Sequence, residues 1–165
     1  MTASAVEQQQ HHQRTPAVGE RAPDFTLQST SGEAVTLSSF RGKHPVLLAF
    51  FPLAFTSTCT AELCEMTEDY DGYAAKGVVI LPISVDSVPT LKEYRRQHAL
   101  RTELLSDFKR EATNAYGTMW QDAFFSNRAY FLLDRDGVVR WAHVEATPGQ
   151  KRSTAEIAEQ IAKLA

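Results

Sequence analysis

The sequence has few of the features that mark several large classes of protein. Its 165 residues include only two cysteines, and the longest apolar run, residues 45–54, is too short to span a bilayer. The formal net charge is -3 and the basic residues are scattered, so there is no basic stripe of the kind that a phosphate backbone requires. We therefore expect no membrane span and no nucleic-acid partner.

The N-terminal segment also lacks a secretion signal, because it has neither a basic start nor an apolar centre. A cytoplasmic location is expected, and cysteines in that compartment are more often reactive than structural. Residues 1–18 are polar, rich in Gln and His, and without periodicity, which predicts a disordered tail. A single domain is predicted over residues 19–165.

Strands and helices alternate along this predicted domain. The pattern predicts strands at 24–27, 34–37, 45–51, 78–85, 104–105, 129–133 and 138–144, and helices at 59–76, 89–98, 109–116 and 153–164. The run 45–51 is apolar on consecutive positions, as is typical of a central strand covered on both faces. These elements predict an α/β fold with a mixed central β-sheet and helices on both faces.

Cys59 lies where the chain leaves the predicted central strand and enters a helix. A thiol at the start of a helix meets unpaired backbone N–H groups and the positive end of the helix dipole. Both favour the thiolate, which makes Cys59 a candidate nucleophile. Taken alone, Cys59 could equally be a small buried hydrophobe at the head of the apolar stripe that includes Leu63 and Met66.

The loop before Cys59 contains two residues suited to an oxygen-rich substrate. Thr56 precedes Cys59 by three residues, so its hydroxyl can reach the sulfur or an attacked oxygen. Pro52 fixes the turn and removes one competing backbone donor.

Pro52, Thr56 and Cys59 form a Pro-x-x-x-Thr-x-x-Cys pattern that resembles the active-site motif of peroxiredoxins. Three further segments, residues 19–27, 105–107 and 128–134, are similar to segments of that family and occur in the same order. Residues 51–56 look most like the alkyl hydroperoxide reductase E branch. The Cys-Thr-x-x-x-Cys pattern that starts at Cys59 is similar to the bacterioferritin comigratory protein or peroxiredoxin Q branch.

The resemblance implies a thioredoxin-like fold and a peroxidase that reduces hydrogen peroxide or organic hydroperoxides through a Cys59 sulfenic acid, without a metal, flavin or haem cofactor. It also implies the catalytic set Pro52, Thr56, Cys59 and Arg128. Such a site needs donors aimed at the peroxide oxygens as the bond between them lengthens, and Arg128 can supply one.

Glu62 lies three residues beyond Cys59 on the predicted helix, where its carboxylate would disfavour the thiolate. Arg128 would offset that charge, and a Glu62–Arg128 pair would hold the guanidinium in place. Glu62 is therefore a candidate positioning residue, although an acid in a first helical turn is also favourable by itself.

Cys64 is the candidate resolving cysteine, which would form an intramolecular disulfide with Cys59 that a thioredoxin-like reductant then opens. On an intact helix, residues five apart are separated by about 7.5 Å of rise and about 140° of rotation, which is too far for a disulfide. The first turns of the helix must therefore unwind after oxidation.

Several alternatives stay open at this point. The enzyme could work with one cysteine and an external thiol, or the chain could be a thioredoxin-fold disulfide exchanger, although that class is expected to show Cys-x-x-Cys. A metal site would have to combine the cysteines with histidines that are isolated from one another, namely His44, His98 and His143. The sequence is compatible with a monomer or a homodimer.

Overall fold

The fold is organised around a β-sheet whose strands come from the whole length of the chain. A computed structural model describes residues 14–164. The strands in that part are β1 (Thr26–Ser29), β2 (Ala34–Thr36), β3 (Val46–Phe50), β4 (Val79–Ser84), β5 (Leu105–Ser106), β6 (Met119–Trp120), β7 (Phe125–Ser126), β8 (Ala129–Leu133) and β9 (Val139–Val144). The helices there are α1 (Ser57–Glu68), α2 (Tyr70–Ala75), α3 (Val88–Gln97), α4 (Glu111–Ala115) and α5 (Thr154–Ala162), with a short 3-10 helix at Leu37–Phe40.

Seven of these strands form one mixed sheet in the order β2-β1-β5-β4-β3-β8-β9, and β6 pairs with β7 in a separate small ribbon. Strand β3 runs parallel to β4 and antiparallel to β8. All five residues of β3 are buried, which confirms the predicted central strand. Apolar residues on both faces of β3 are needed because helices cover the sheet on both sides.

The two faces of the sheet bury two separate apolar cores. The first lies beneath α1, α2, α3 and α5 and includes Leu47, Leu63, Met66, Leu91 and Ile157. The second lies beneath α4 and the 3-10 helix and includes Leu48, Phe50, Ala112, Tyr116 and Phe131. This arrangement confirms the α/β fold with a mixed central sheet and helices on both faces.

The helix predicted over residues 59–76 differs from the observed one at its start and in its middle. It begins at Ser57, and Asp69 separates α1 from α2. The periodicity missed the first two helical residues because Ser57 is exposed and Thr58 is only half-buried, so neither adds to the apolar stripe. The β6–β7 ribbon was not predicted, since strands of two residues are too short to show an alternating pattern.

The predicted tail, residues 1–18, lies mostly outside the described residues. Its last five residues, 14–18, are described, and Pro16 among them is buried. Just beyond the tail, the Gly19 backbone N–H donates to the Val139 carbonyl at 2.8 Å, which attaches the start of the domain to β9. No helix within residues 14–164 has the length and apolar character needed to cross a membrane.

Replacement of Leu63 tests the packing of α1 on the sheet. Its side chain is 0% exposed, so Leu63→Ala should lower the free energy of unfolding by about 2–5 kcal/mol through lost burial and a residual cavity. Urea denaturation measures this change. The control is Lys92→Ala on the exposed face of α3, for which we expect a change within about 0.5 kcal/mol. A Leu63→Ala loss as small as that of the control would contradict the packing.

Candidate active site

The site begins where the chain leaves the carboxyl end of β3, the edge at which α/β sheets usually place their crevices. Two hydrogen bonds fix the loop from Phe51 to Thr56, one to a neighbouring element and one within the loop. The Ala54 N–H donates to the Asp86 carboxylate at 2.8 Å, and the Thr56 hydroxyl donates to the Leu53 carbonyl at 2.8 Å. Phe55 adopts a left-handed backbone with φ 66°, which is unusual for a bulky residue and sharpens the turn into α1.

Cys59 is the third residue of α1, and Thr56 is the N-cap. The Thr60 N–H donates to the Thr56 carbonyl at 2.9 Å and so makes the first bond of the helical ladder. The amides of residues 57–59 precede that bond and have no acceptor within the helix. Cys59 is the last of these residues and is only 1% exposed, so its sulfur is shielded from bulk water.

Arg128 reaches the sulfur from the neighbouring antiparallel strand. Phe50 of β3 lies opposite Ala129 of β8, so Arg128, one residue before β8, lies beside the exit of the chain from β3. The guanidinium is 0% exposed, and its Nη2 lies 3.0 Å from the Cys59 sulfur. Arg128 is therefore a buried cation in direct contact with the candidate nucleophile.

Glu62 completes the pair that the sequence predicts. Its Oε1 accepts from Arg128 Nη1 at 2.8 Å, and the carboxylate is 2% exposed. Burial raises the pKa of the Glu62 carboxyl, and Arg128 opposes that rise. Burial alone would lower the pKa of Arg128, but the charge of Glu62 keeps that pKa above its ordinary value, so the guanidinium stays protonated.

Other residues contact this pair and were missed in the sequence. Tyr130 donates a hydrogen bond to Glu62 Oε2. Residues 145–153, called the strap below, connect β9 to α5 and lie against the same group: the Pro148 carbonyl accepts from Arg128 Nη2 at 3.2 Å, and Lys151 contacts Glu65 at 2.8 Å. Period-two alternation along β8 puts Tyr130 on the face of Arg128, and that was the one available signal.

Known proteins are similar in sequence to this chain over most of its length. A sequence model of the AhpC/TSA family matches residues 18–142. The chain belongs to the AhpC/TSA family of peroxiredoxins. It is 39% identical over 137 residues to alkyl hydroperoxide reductase E of Mycobacterium tuberculosis (strain ATCC 25618 / H37Rv), covering 82% of this chain and 89% of that protein.

Two further members of the family confirm the branches and the fold. The chain is 35% identical over 128 residues to the putative peroxiredoxin bcp of Coxiella burnetii, covering 74% of this chain and 84% of that protein. The reduced 2-Cys peroxiredoxin of Plasmodium vivax matches with a TM-score of 0.81 and 30% identity, covering 88% of this chain and 80% of that structure. The predicted thioredoxin-like fold and the position between two peroxiredoxin branches are both confirmed, and the protein is a thiol peroxidase.

The remaining predicted residues of this peroxiredoxin site lie on the same loop and helix. Pro52 is buried two residues after the end of β3, and Thr56 is exposed at the N-cap with its hydroxyl directed to Leu53. Cys64 is half-buried on α1, and both cysteines are free thiols. Burial raises the pKa of the Cys64 thiol, and the carboxylates of Glu68 and Glu65 raise it further. Within residues 14–164, no group of three or more His, Cys, Asp or Glu side chains is placed to hold a metal ion.

Arg128→Ala would leave Glu62 buried without its cation, and breaking a buried pair in this way costs about 3–5 kcal/mol. The pKa of Glu62 would then rise further above its value in the unfolded chain, so the folded state would bind the extra proton. The stability of the variant should therefore fall as the pH rises from about 5 to about 8. Urea unfolding at both pH values measures this dependence.

The matched control is the double variant Glu62→Gln/Arg128→Ala, which has no carboxylate to protonate. It should lack the fall in stability that Glu62 causes in Arg128→Ala between about pH 5 and about pH 8. If Arg128→Ala alone had the same pH dependence as the parent, Glu62 and Arg128 would not be coupled as the structure shows.

Proposed function

We propose that Cys59 is the peroxidatic nucleophile and that Arg128 activates both it and the peroxide. The observation that carries the proposal is the 3.0 Å contact between Arg128 Nη2 and the Cys59 sulfur, made inside the first turn of α1. Neither partner is exposed to bulk water, so the cation acts on the sulfur with little dielectric screening. The substrates are hydrogen peroxide or organic hydroperoxides.

In the proposed reaction, the thiolate attacks one peroxide oxygen and the bond between the two oxygens breaks. Cys59 becomes a sulfenic acid, and the other oxygen leaves as water or an alcohol after it takes up a proton. Negative charge moves toward the leaving oxygen, so donors aimed at that oxygen lower the barrier. Arg128 Nε is buried and has no acceptor among residues 14–164, which leaves it available to a substrate oxygen.

Thr56 and Pro52 shape the remaining part of the substrate site. The Thr56 hydroxyl gives its proton to the Leu53 carbonyl, so its lone pairs are free to accept the proton of an incoming hydroperoxide. That hydrogen bond would orient the peroxide for attack from the sulfur. Pro52, which has no backbone N–H, keeps this part of the loop free of a competing donor.

Cys64 is proposed to resolve the sulfenic acid. Its thiol would displace the Cys59 hydroxyl as water and form an intramolecular disulfide, which a thioredoxin-like dithiol then reduces by exchange. Both thiols lie on the continuous helix α1, so its first turns must unwind first. Contacts to other elements oppose this unwinding, and besides those of Cys59 with Arg128 and of Glu62 with Tyr130 they include Thr60 to Tyr94 at 2.9 Å, Glu62 to Arg128 at 2.8 Å, and Glu65 to Lys151 at 2.8 Å.

Cys59→Ser tests the nucleophile. A neutral hydroxyl is a far weaker nucleophile than a thiolate, so turnover with hydrogen peroxide or an organic hydroperoxide should be lost. A coupled assay of peroxide consumption measures this loss. Cys64→Ser is the matched control, because it also removes one sulfur and should still consume one equivalent of peroxide rapidly. Retention of a tenth of the parent activity by Cys59→Ser would end the proposal.

Resolution by Cys64 should depend on pH in a predictable direction. Because the pKa of Cys64 is raised, its thiolate is scarce at neutral pH, and the rate of disulfide formation should increase by up to about tenfold per pH unit above pH 7. Quenched-flow peptide mapping of the Cys59–Cys64 linkage measures that rate.

Glu68→Gln removes one of the charges that raise the pKa of Cys64 and should speed the step by about two- to threefold at pH 7. Cys64→Ser should form no linkage at any pH. If the parent forms none either, the enzyme instead works with one cysteine and an external thiol.

A further inference from the structure

Tyr130 is a fully buried tyrosine on β8 that reaches the active site without reaching the sulfur. Its side chain is 0% exposed, and its hydroxyl donates to Glu62 Oε2. The same hydroxyl accepts a hydrogen bond from the Arg152 backbone N–H at 3.0 Å. A tyrosine hydroxyl has one proton to donate, and here that proton is committed to the carboxylate.

These contacts close a ring of hydrogen bonds behind Cys59. The ring runs from Arg152 N–H to Tyr130, from Tyr130 to Glu62, from Arg128 to Glu62, and from Arg128 to the Pro148 carbonyl. Pro148 and Arg152 both belong to the strap, so the strap closes the ring through the main chain. Only Arg128 in this ring also contacts the sulfur, at 3.0 Å.

We propose that Tyr130 is a positioning residue for peroxide reduction, which fixes Glu62 so that Glu62 holds the Arg128 guanidinium against the Cys59 sulfur. Tyr130 touches neither the sulfur nor the substrate, and its effect passes through the carboxylate. The inference rests on the proposed roles of Cys59 and Arg128 and goes beyond them by assigning a residue that those roles do not include.

The geometry of Glu62 explains why such a group is needed. The carboxylate has two oxygens, and Arg128 occupies only Oε1. Without Tyr130, Oε2 would be a buried charged oxygen with no donor, and the carboxylate would be free to rotate about its last bond. Tyr130 also lowers the pKa of Glu62 against the effect of burial, which supports the ionised form that Arg128 requires.

Tyr130 also stabilises the conformation of the strap. Its backbone at Arg152 is fixed by Tyr130, and its Glu145 carboxylate receives two hydrogen bonds from the Arg152 side chain, at 2.6 and 3.1 Å. The strap in turn presents the Pro148 carbonyl to Arg128. One Tyr130 hydroxyl therefore contacts both Glu62 and the backbone of the strap.

The first experiment compares Tyr130→Phe with the parent in the full chain. Stopped flow measures the rate of Cys59 oxidation by hydrogen peroxide, and a parallel assay measures Cys59 alkylation by iodoacetamide in the Cys64→Ser background. Alkylation needs the thiolate but no oriented donor for a peroxide oxygen. We expect oxidation to slow by about tenfold, as for loss of a hydrogen bond to a charged group, and alkylation to slow less, because only oxidation needs Arg128 aimed at a peroxide oxygen as well as at the sulfur.

Tyr116→Phe is the matched control for removal of a buried tyrosine hydroxyl. Tyr116 is also 0% exposed, belongs to the core on the opposite face, and donates to the Pro23 carbonyl at 2.7 Å. The rate of Cys59 oxidation in Tyr116→Phe should remain within about twofold of that in the parent. Thermal unfolding of both variants shows whether the native fold is kept.

The second experiment repeats Tyr130→Phe in a Glu62→Gln background. Glutamine keeps the shape of the side chain but has one oxygen in place of two, so it cannot accept from Arg128 and Tyr130 on separate oxygens. Tyr130→Phe should then slow oxidation by less than about twofold, because the group through which it acts has gone. The same comparison works if either single variant is less stable, since each rate is measured on folded protein below its unfolding transition.

The outcomes separate this inference from the proposed function. A tenfold effect in the parent background that disappears in the Glu62→Gln background supports the positioning role. Equal slowing in both backgrounds, equal loss of oxidation and alkylation, or no slowing at all would overturn it. A parent whose Cys59 does not react with peroxide would overturn the proposed function first, and this inference with it.

Discussion

The ion pair between Glu62 and Arg128 determines much of the arrangement around Cys59. Both groups are buried, and removal of two charges from water is costly unless each finds good partners. Arg128 therefore needs acceptors, and it finds three: a carboxylate, a carbonyl and the Cys59 sulfur. The sulfur is therefore one of the groups that compensate a buried cation.

The Glu62–Arg128 pair is involved in two proposed steps that place opposite requirements on α1. The proposed peroxide reduction needs α1 intact, because the helix places Cys59 and Glu62 on the face that meets Arg128. The proposed disulfide needs the segment between Cys59 and Cys64 to leave the helix, and Glu62 lies inside that segment. Resolution therefore separates a buried pair, whereas the exposed parts of the same turns cost little to unwind. In the proposed cycle, the contact that prepares the sulfur for oxidation therefore also opposes its resolution.

The sequence was sufficient for residues that follow periodic or family patterns, since Cys59 and Glu62 share a helical face and Arg128 precedes an apolar strand. The strap could not be predicted in this way. Pro148 contributes a main-chain carbonyl, which any residue can supply, and its approach depends on how β9 and α5 are connected in space. Tyr130 packs in the core, against Trp141 with ring centroids 5.8 Å apart, so the apolar pattern gives no sign of what its hydroxyl contacts.

The charges of the site also connect its two proposed states. With Cys59 ionised, the group contains one cation and two anions, and the free amides at the start of α1 help to stabilise the excess negative charge. Oxidation to the sulfenic acid removes the charge from the sulfur, which leaves Arg128 and Glu62 as a neutral pair. The first turn of α1 then loses the anion that its amides and dipole had favoured. In the proposed cycle, the chemical step would therefore weaken the start of the helix at the stage when Cys64 needs it to unwind.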